Sequence, residues 1–170
     1  MSLDSLQSLF QDELKDIYHG EKQLLEALPR MAKAAATPEL EQAFTSHLKE
    51  TQGHVQRLER IFRDLGMPAR GKRCKGMEGL VEEGKEFMQE GGEAPVVDAA
   101  LIGAAQRVEH YEIAAYGCLR TYAKLLGHEN AAALLAQTLE EEEAADEKLN
   151  QIAERRVNAD AAAAGGGGSE

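Results

Sequence analysis

Residues 109–146 read EHYEIAAYGCLRTYAKLLGHENAAALLAQTLEEEEAAD, and this stretch decides the fold. In its first part Glu109, Glu112, Tyr116 and Leu119 step by three and four, the spacing of one helical face, and the line extends back to Ala105. In its last part Leu135, Leu139, Glu142 and Asp146 do the same and run on to Leu149. Gly127 stops the first line before the second begins, so the stretch reads as two helices joined by a tight turn. Carboxylates therefore lie on stripes that are otherwise apolar. A lone buried carboxylate takes up a proton or destabilises the fold, and several at one depth repel one another. A bound cation is the economical explanation.

Depth can be read from the spacing. With the turn between residues 127 and 128, Glu112 lies 15.5 residues before it and Glu142 14.5 after, while Glu109 and Asp146 each lie 18.5 away. At a rise of ~1.5 Å per residue, each pair shares a level. The N-terminal half repeats the pattern: Glu21 is followed after 29 residues by Glu50 and four later by His54, as Glu112 is followed after 30 by Glu142 and four later by Asp146. Taking the first turn at residue 36, Glu21 lies 15 before it, Glu50 14 after and His54 18 after.

Four long helices follow from this. The first is expected from Leu3 to Ala35, with Pro29 kinking it or weakening its last turn. Thr37 and Pro38 are the N-cap and first residue of the second, which runs to about Leu65 before Gly66 and Pro68. The third runs from Pro95 to Leu126 and the fourth from Glu129 to Arg156. Residues 67–95 form a long connection with a short helix from Met77 to about Glu90. Two tight turns and one long connection fit a ferritin-like crossover; the alternative use of that segment is a lid or an oligomer contact. The expected architecture is an all-α, ferritin-like four-helix bundle. It forms one domain over residues 1–157, with a disordered Ala/Gly-rich tail over 158–170.

The 170 residues carry a net charge of −11, without the basic surface that nucleic-acid binding requires. An acidic balance suits cations, though it also serves plain solubility. Cys74 and Cys118 form no metal-knuckle or redox motif. Without an apolar leader or a run of ~20 apolar residues, a cytoplasmic protein with no membrane association is expected.

Helical bundles build di-iron and di-manganese sites from inward-facing Glu and His. On the spacing, Glu50 and Glu142 bridge two metals, Glu21 and Glu112 are terminal, and His54 and Asp146 complete the two coordination sets, with Glu109 as an additional carboxylate. His47 is a rival to His54. Tyr111 and Tyr116 are outer hydrogen-bond partners or core. Of the run Glu140 to Glu143, three must face solvent. A single acidic or imidazole residue is more often solvated or structurally satisfied; the joint match across four helices is what favours metal.

The runs DELKDIYHGEKQLLEALPRMAKAA, HLKETQGHVQRLERIF, CKGMEGLVEEG, EHYEIAAYGCLRTYAKLLG and TLEEEEAADEKL resemble the YciF/YciE-like branch of the ferritin-like superfamily, over about residues 3–156. The resemblance implies a stress-associated, dimeric helical bundle with a di-metal centre, but no defined reaction. The sequence departs from the Glu-x-x-His pattern of ferritins and rubrerythrins: Glu50-x-x-x-His54 has one residue more, His47-x-x-Glu50 reverses the order, and Asp146 stands where His is usual. Glu109-x-x-Glu112 resembles the third-helix pair of rubrerythrin-type proteins.

The expected cofactor is two iron ions, with manganese the alternative, because a carboxylate-rich site is hard. The expected function is iron handling or oxidative-stress defence, with Fe(II) oxidation by O2 or peroxide. Manganese-type peroxide disproportionation and a non-catalytic structural protein with a stabilising metal are the alternatives. A homodimer is expected.

Overall fold

A computed structural model of the chain describes residues 4–164. Among these the elements are all helical: α1 (Leu6–Ala34), α2 (Pro38–Asp64), α3 (Lys75–Glu90), α4 (Ala94–Leu125), α5 (Glu129–Ile152), a π-helical turn (Ala153–Val157) and α6 (Asn158–Ala164). Ser5 caps α1, its hydroxyl accepting the Ser8 N–H at 3.1 Å. Residues 1–3, where the first helix was expected to begin, lie outside the described residues. Helix α1 continues through Pro29 to Ala34. No helix among the described residues is long and apolar enough to cross a membrane.

The two hairpins form as their turn residues dictate. Thr37 is the N-cap residue of α2 and Pro38 its first residue, but the Thr37 side chain makes no capping bond. The cap comes from elsewhere: the buried Asp98 of α4 accepts the N–H of Ala36 at 2.7 Å and of Thr37 at 2.9 Å. At the second hairpin Gly127 takes φ 74°, the left-handed conformation that lets α4 end and α5 begin across a connection of three residues.

These contacts also fix the direction of each helix. Asp98 places the start of α4 at the first-turn end of the bundle. His128, beside the second turn, reaches Gln7 near the start of α1, and Asn130 reaches Asp64 at the end of α2. Helices α2 and α4 therefore run in the same direction. The connection between them must travel back along the bundle, which is the ferritin-like crossover. It does so along α1 and α4: the Lys72 N–H bonds to the Lys15 carbonyl at 3.0 Å, and the Cys74 thiol caps α3 by accepting the Met77 N–H. Gly76 permits the closest approach, since a Cβ there would stand 2.6 Å from the Tyr111 ring.

One expectation is corrected at the C-terminal end. Helix α5 gives way at Ile152 to a π-helical turn, and residues 158–164 of the expected disordered tail are helical. The π turn lets both Ala153 and Val157 face the core, and the alanines that follow have the strongest intrinsic preference for helix. The remainder of the tail, 165–170, lies outside the described residues.

The core is divided. One apolar cluster lies toward the first turn and includes Leu28, Met31, Leu40, Phe44, Leu101 and Ile152. The other lies toward the second and includes Phe10, Leu14, Leu58, Phe62, Leu119 and Leu135. Between them is a layer of buried polar side chains from α1, α2, α4 and α5.

Candidate metal centre

Each long helix of the bundle contributes to this layer at the face that is apolar above and below it. Helix α1 supplies Glu21, α2 supplies His47 and His54, α4 supplies Glu109 and Glu112, and α5 supplies Glu142. Glu21, His54, Glu112 and Glu142 are fully buried, and Glu109 and His47 nearly so. They converge as two groups, each with ligand atoms within 4.8 Å of one another: His47, Glu109, Glu112 and Glu142, and Glu21, His54 and Glu142. Glu142 belongs to both.

The two imidazoles are oriented alike by opposite nitrogens. His47 donates from Nδ1 to Glu50 at 3.2 Å and turns Nε2 toward Glu109 at 3.3 Å and Glu142 at 3.6 Å. His54 donates from Nε2 to Glu141 at 2.9 Å and turns Nδ1 toward Glu142 at 3.0 Å and Glu21 at 3.3 Å. A carboxylate only accepts, so it fixes the proton on the outward nitrogen and leaves the inward one to present a lone pair when the ring is neutral. Carboxylate–imidazole–metal relays are built this way. Glu141 is held in turn by Arg57, with two contacts of 2.7 Å, and Arg57 also bonds Thr138. On α4, Tyr116 donates its hydroxyl to Glu21.

The inward atoms are left without hydrogen bonds. Glu21 Oε2, Glu109 Oε2, both oxygens of Glu112 and of Glu142, His47 Nε2 and His54 Nδ1 are buried and have no hydrogen-bond partner. Unsatisfied groups cost about 1–3 kcal/mol each, and charged ones more, so a cluster of this kind fits an ion that supplies the missing interactions. With no cation bound, burial and the neighbouring Glu142 charge push Glu112 well above the usual carboxylate range. Glu109 is raised well too, burial outweighing the opposing His47 charge. Burial works against charge on the imidazoles, but facing carboxylates prevail: Glu109, Glu50 and Glu142 hold His47 up to about 9, and Glu142 and Glu21 hold His54 up to about 11. Burial would raise Glu142 as well, yet the flanking His54 and His47 hold it below its ordinary value.

Five of the primary sequence candidates meet in the layer, and so does His47, the rival of His54. Both imidazoles enter, one in each group. Glu50 and Asp146 do not join either group. The Glu50 side chain is 45% exposed and supports His47 from outside. Asp146 faces His110 at 3.4 Å and Gln106 at 3.2 Å. Tyr111 bonds Asp16 and the Cys74 thiol, away from the ligand groups. Glu141 and Arg57, which hold His54 from outside the layer, are the neighbours of the site that the sequence reading missed. A signal existed for Arg57, which lies three residues after His54 on the same helical face.

A sequence-family profile described as a domain of unknown function, DUF892, matches residues 5–162. Protein YciF of Escherichia coli (strain K12) is 44% identical over 159 residues, covering 93% of this chain and 96% of that protein. The crystal structure of the E. coli stress protein YciF matches with a TM-score of 0.88 at 44% identity, over 92% of this chain and 99% of that one. YcfI of Rhodopseudomonas palustris, whose description is a candidate structural protein, matches with a TM-score of 0.85 at 42% identity, over 88% of this chain and 97% of that one. The chain belongs to the DUF892 family.

Proposed function

We propose that this DUF892 protein holds two divalent cations in its mid-bundle layer, as a di-iron centre serving iron handling or oxidative-stress defence. The observation that carries this reading is the charge of the layer. Four buried carboxylates, Glu21, Glu109, Glu112 and Glu142, face two imidazoles. Without a cation the layer approaches neutrality only by holding protons on both rings and on the raised carboxyls Glu109 and Glu112, whereas two divalent ions balance four carboxylates with the rings neutral and their lone pairs free. Oxygen donors in excess over nitrogen favour iron or manganese over softer metals. The name of the E. coli relative, a stress protein, supports the stress assignment.

When bound, iron supplies Fe(II) oxidation by oxygen or peroxide. The protein's share is positional. Glu142 belongs to both ligand groups and would help hold either ion. Tyr116 orients Glu21, and Glu50 and Glu141 orient the two imidazoles. The apolar clusters close the layer above and below, along the bundle axis.

Anaerobic Fe(II) titration, followed by exposure to oxygen or peroxide, tests the proposal. Two ions bound per chain, and their oxidation, are expected; Glu142→Gln should lose paired binding. Two-ion binding by Glu142→Gln with unchanged affinity would refute it. The description of YcfI favours a second reading, a stabilising metal without turnover. A melting temperature raised by metal, with no oxidation under either oxidant, would select that reading. Oxygen release from peroxide by the manganese-loaded but not the iron-loaded protein would mark a manganese enzyme instead.

A further inference from the structure

The two ligand groups differ in their access to solvent. Around His54 the layer is closed: Glu21, His54 and Glu142 are fully buried, Tyr116 covers Glu21, and the Arg57–Glu141 pair lies outside the imidazole. Around His47 a cavity of about 140 Å³ opens between α2 and α5. A single water needs only ~10–15 Å³, so this space takes a cation with part of its hydration shell. Small side chains keep it open, Ala43 and Ser46 on α2 and Ala144 and Ala145 on α5. His47 and Glu109 line its inner wall, and their buried Nε2 and Oε2 atoms make no hydrogen bond. Glu50 lines it as well, half-exposed and in contact with His47.

We propose that this cleft is the entrance of the metal centre. A divalent cation passes between α2 and α5, meets Glu50 first, and is handed to His47 and Glu109. The His47 position then exchanges with solvent, and the closed His54 position fills through it. Glu50 thus acts as an entry carboxylate and a positioning residue for His47. This inference rests on the metal-binding reading above.

The test is stopped-flow uptake of cobalt(II), followed by its visible absorption, with the endpoint stoichiometry recorded. Ala144→Leu/Ala145→Leu fills the cleft, and leucine suits a helix nearly as well as alanine. Uptake should slow by about tenfold or more with the endpoint unchanged, as expected when loading has to await an opening motion. Ala133→Leu, on the exposed face of the same helix and away from the cleft, should load at the parental rate. Parental-rate loading by the cleft-filled protein would overturn the proposal. If circular dichroism shows that the double variant does not fold, Glu50→Gln decides: slower uptake supports the entrance, and an unchanged rate overturns it. A parent protein that takes up no cobalt fails the metal-binding reading itself, a result separable from a failure of the entrance.

Discussion

Glu141 and Glu142 stand one helical step apart, about 100° around α5, and that step separates two roles. Glu142 points into the layer between two imidazoles, while Glu141 lies outside, gripped by Arg57 and accepting from His54. Orientation of a ligand imidazole affects metal affinity by about 10–100-fold, so Arg57→Ala should weaken binding by that order in a chelator-competition titration while leaving the helical content intact. Affinity equal to the parent's would show that the Arg57–Glu141 pair serves surface packing alone. The same residues give a pH dependence. His47 and His54 have raised pKa values in the fold, about 9 and about 11. Their contribution to metal-free stability is complete below the unfolded value of about 6.5 and declines as pH rises through the folded values. Glu109 and Glu112, raised by burial, act in the same sense from lower pH. Metal binding requires these groups deprotonated. The melting temperature of the metal-free protein should therefore fall between pH 6.5 and 9 while the increment produced by saturating manganese(II) grows. A metal-free melting temperature that rises over this range would contradict the assignment. Glu50 and Asp146 show where residue-scale reading stopped. Spacing from a turn fixes the level of a residue but not its rotation, and on α2 the buried line runs through His47, Thr51 and His54, with Glu50 beside it.

At the scale of elements, four long helices and the short one in the connection follow from periodicity, proline, glycine and N-cap chemistry, and their boundaries fall within a few residues of expectation. The features that set the bundle's geometry were not legible, because they join residues distant in sequence. Asp98 is the clearest case: it sits in the first turns of α4 and caps the turn between α1 and α2 from 61 and 62 residues away. Two charged hydrogen bonds to backbone N–H groups are lost in Asp98→Ala, a cost on the order of 2 kcal/mol or more. For a chain of this size that lowers the melting temperature by on the order of 5 °C, measurable by calorimetry. An unchanged melting temperature would mean that solvent replaces the cap without loss. Gly76 is a second hidden determinant, since only contact with Tyr111 of α4 explains why no side chain fits there.

For the whole molecule, the polar layer and the crossover belong to one design. Two antiparallel hairpins carry polar groups at mid-height, a carboxylate and two imidazoles on the first and three carboxylates on the second, and the connection through α3 brings them together so that four helices face one another at that level. The layer interrupts an otherwise continuous core, a costly arrangement unless something bound within it satisfies the charges. Repeated spacing made the layer readable, and turn chemistry made the hairpins readable. The exchange of Glu50 and Asp146 for His47 and an outer shell of support required the packed structure. Crystals soaked with manganese(II) and measured for anomalous scattering test the central claim most directly. Two peaks should appear per chain on either side of Glu142, one contacting Glu21 and His54, the other His47, Glu109 and Glu112. Anomalous density absent from this layer, or located at Glu50 and Asp146 without Glu142, would contradict it.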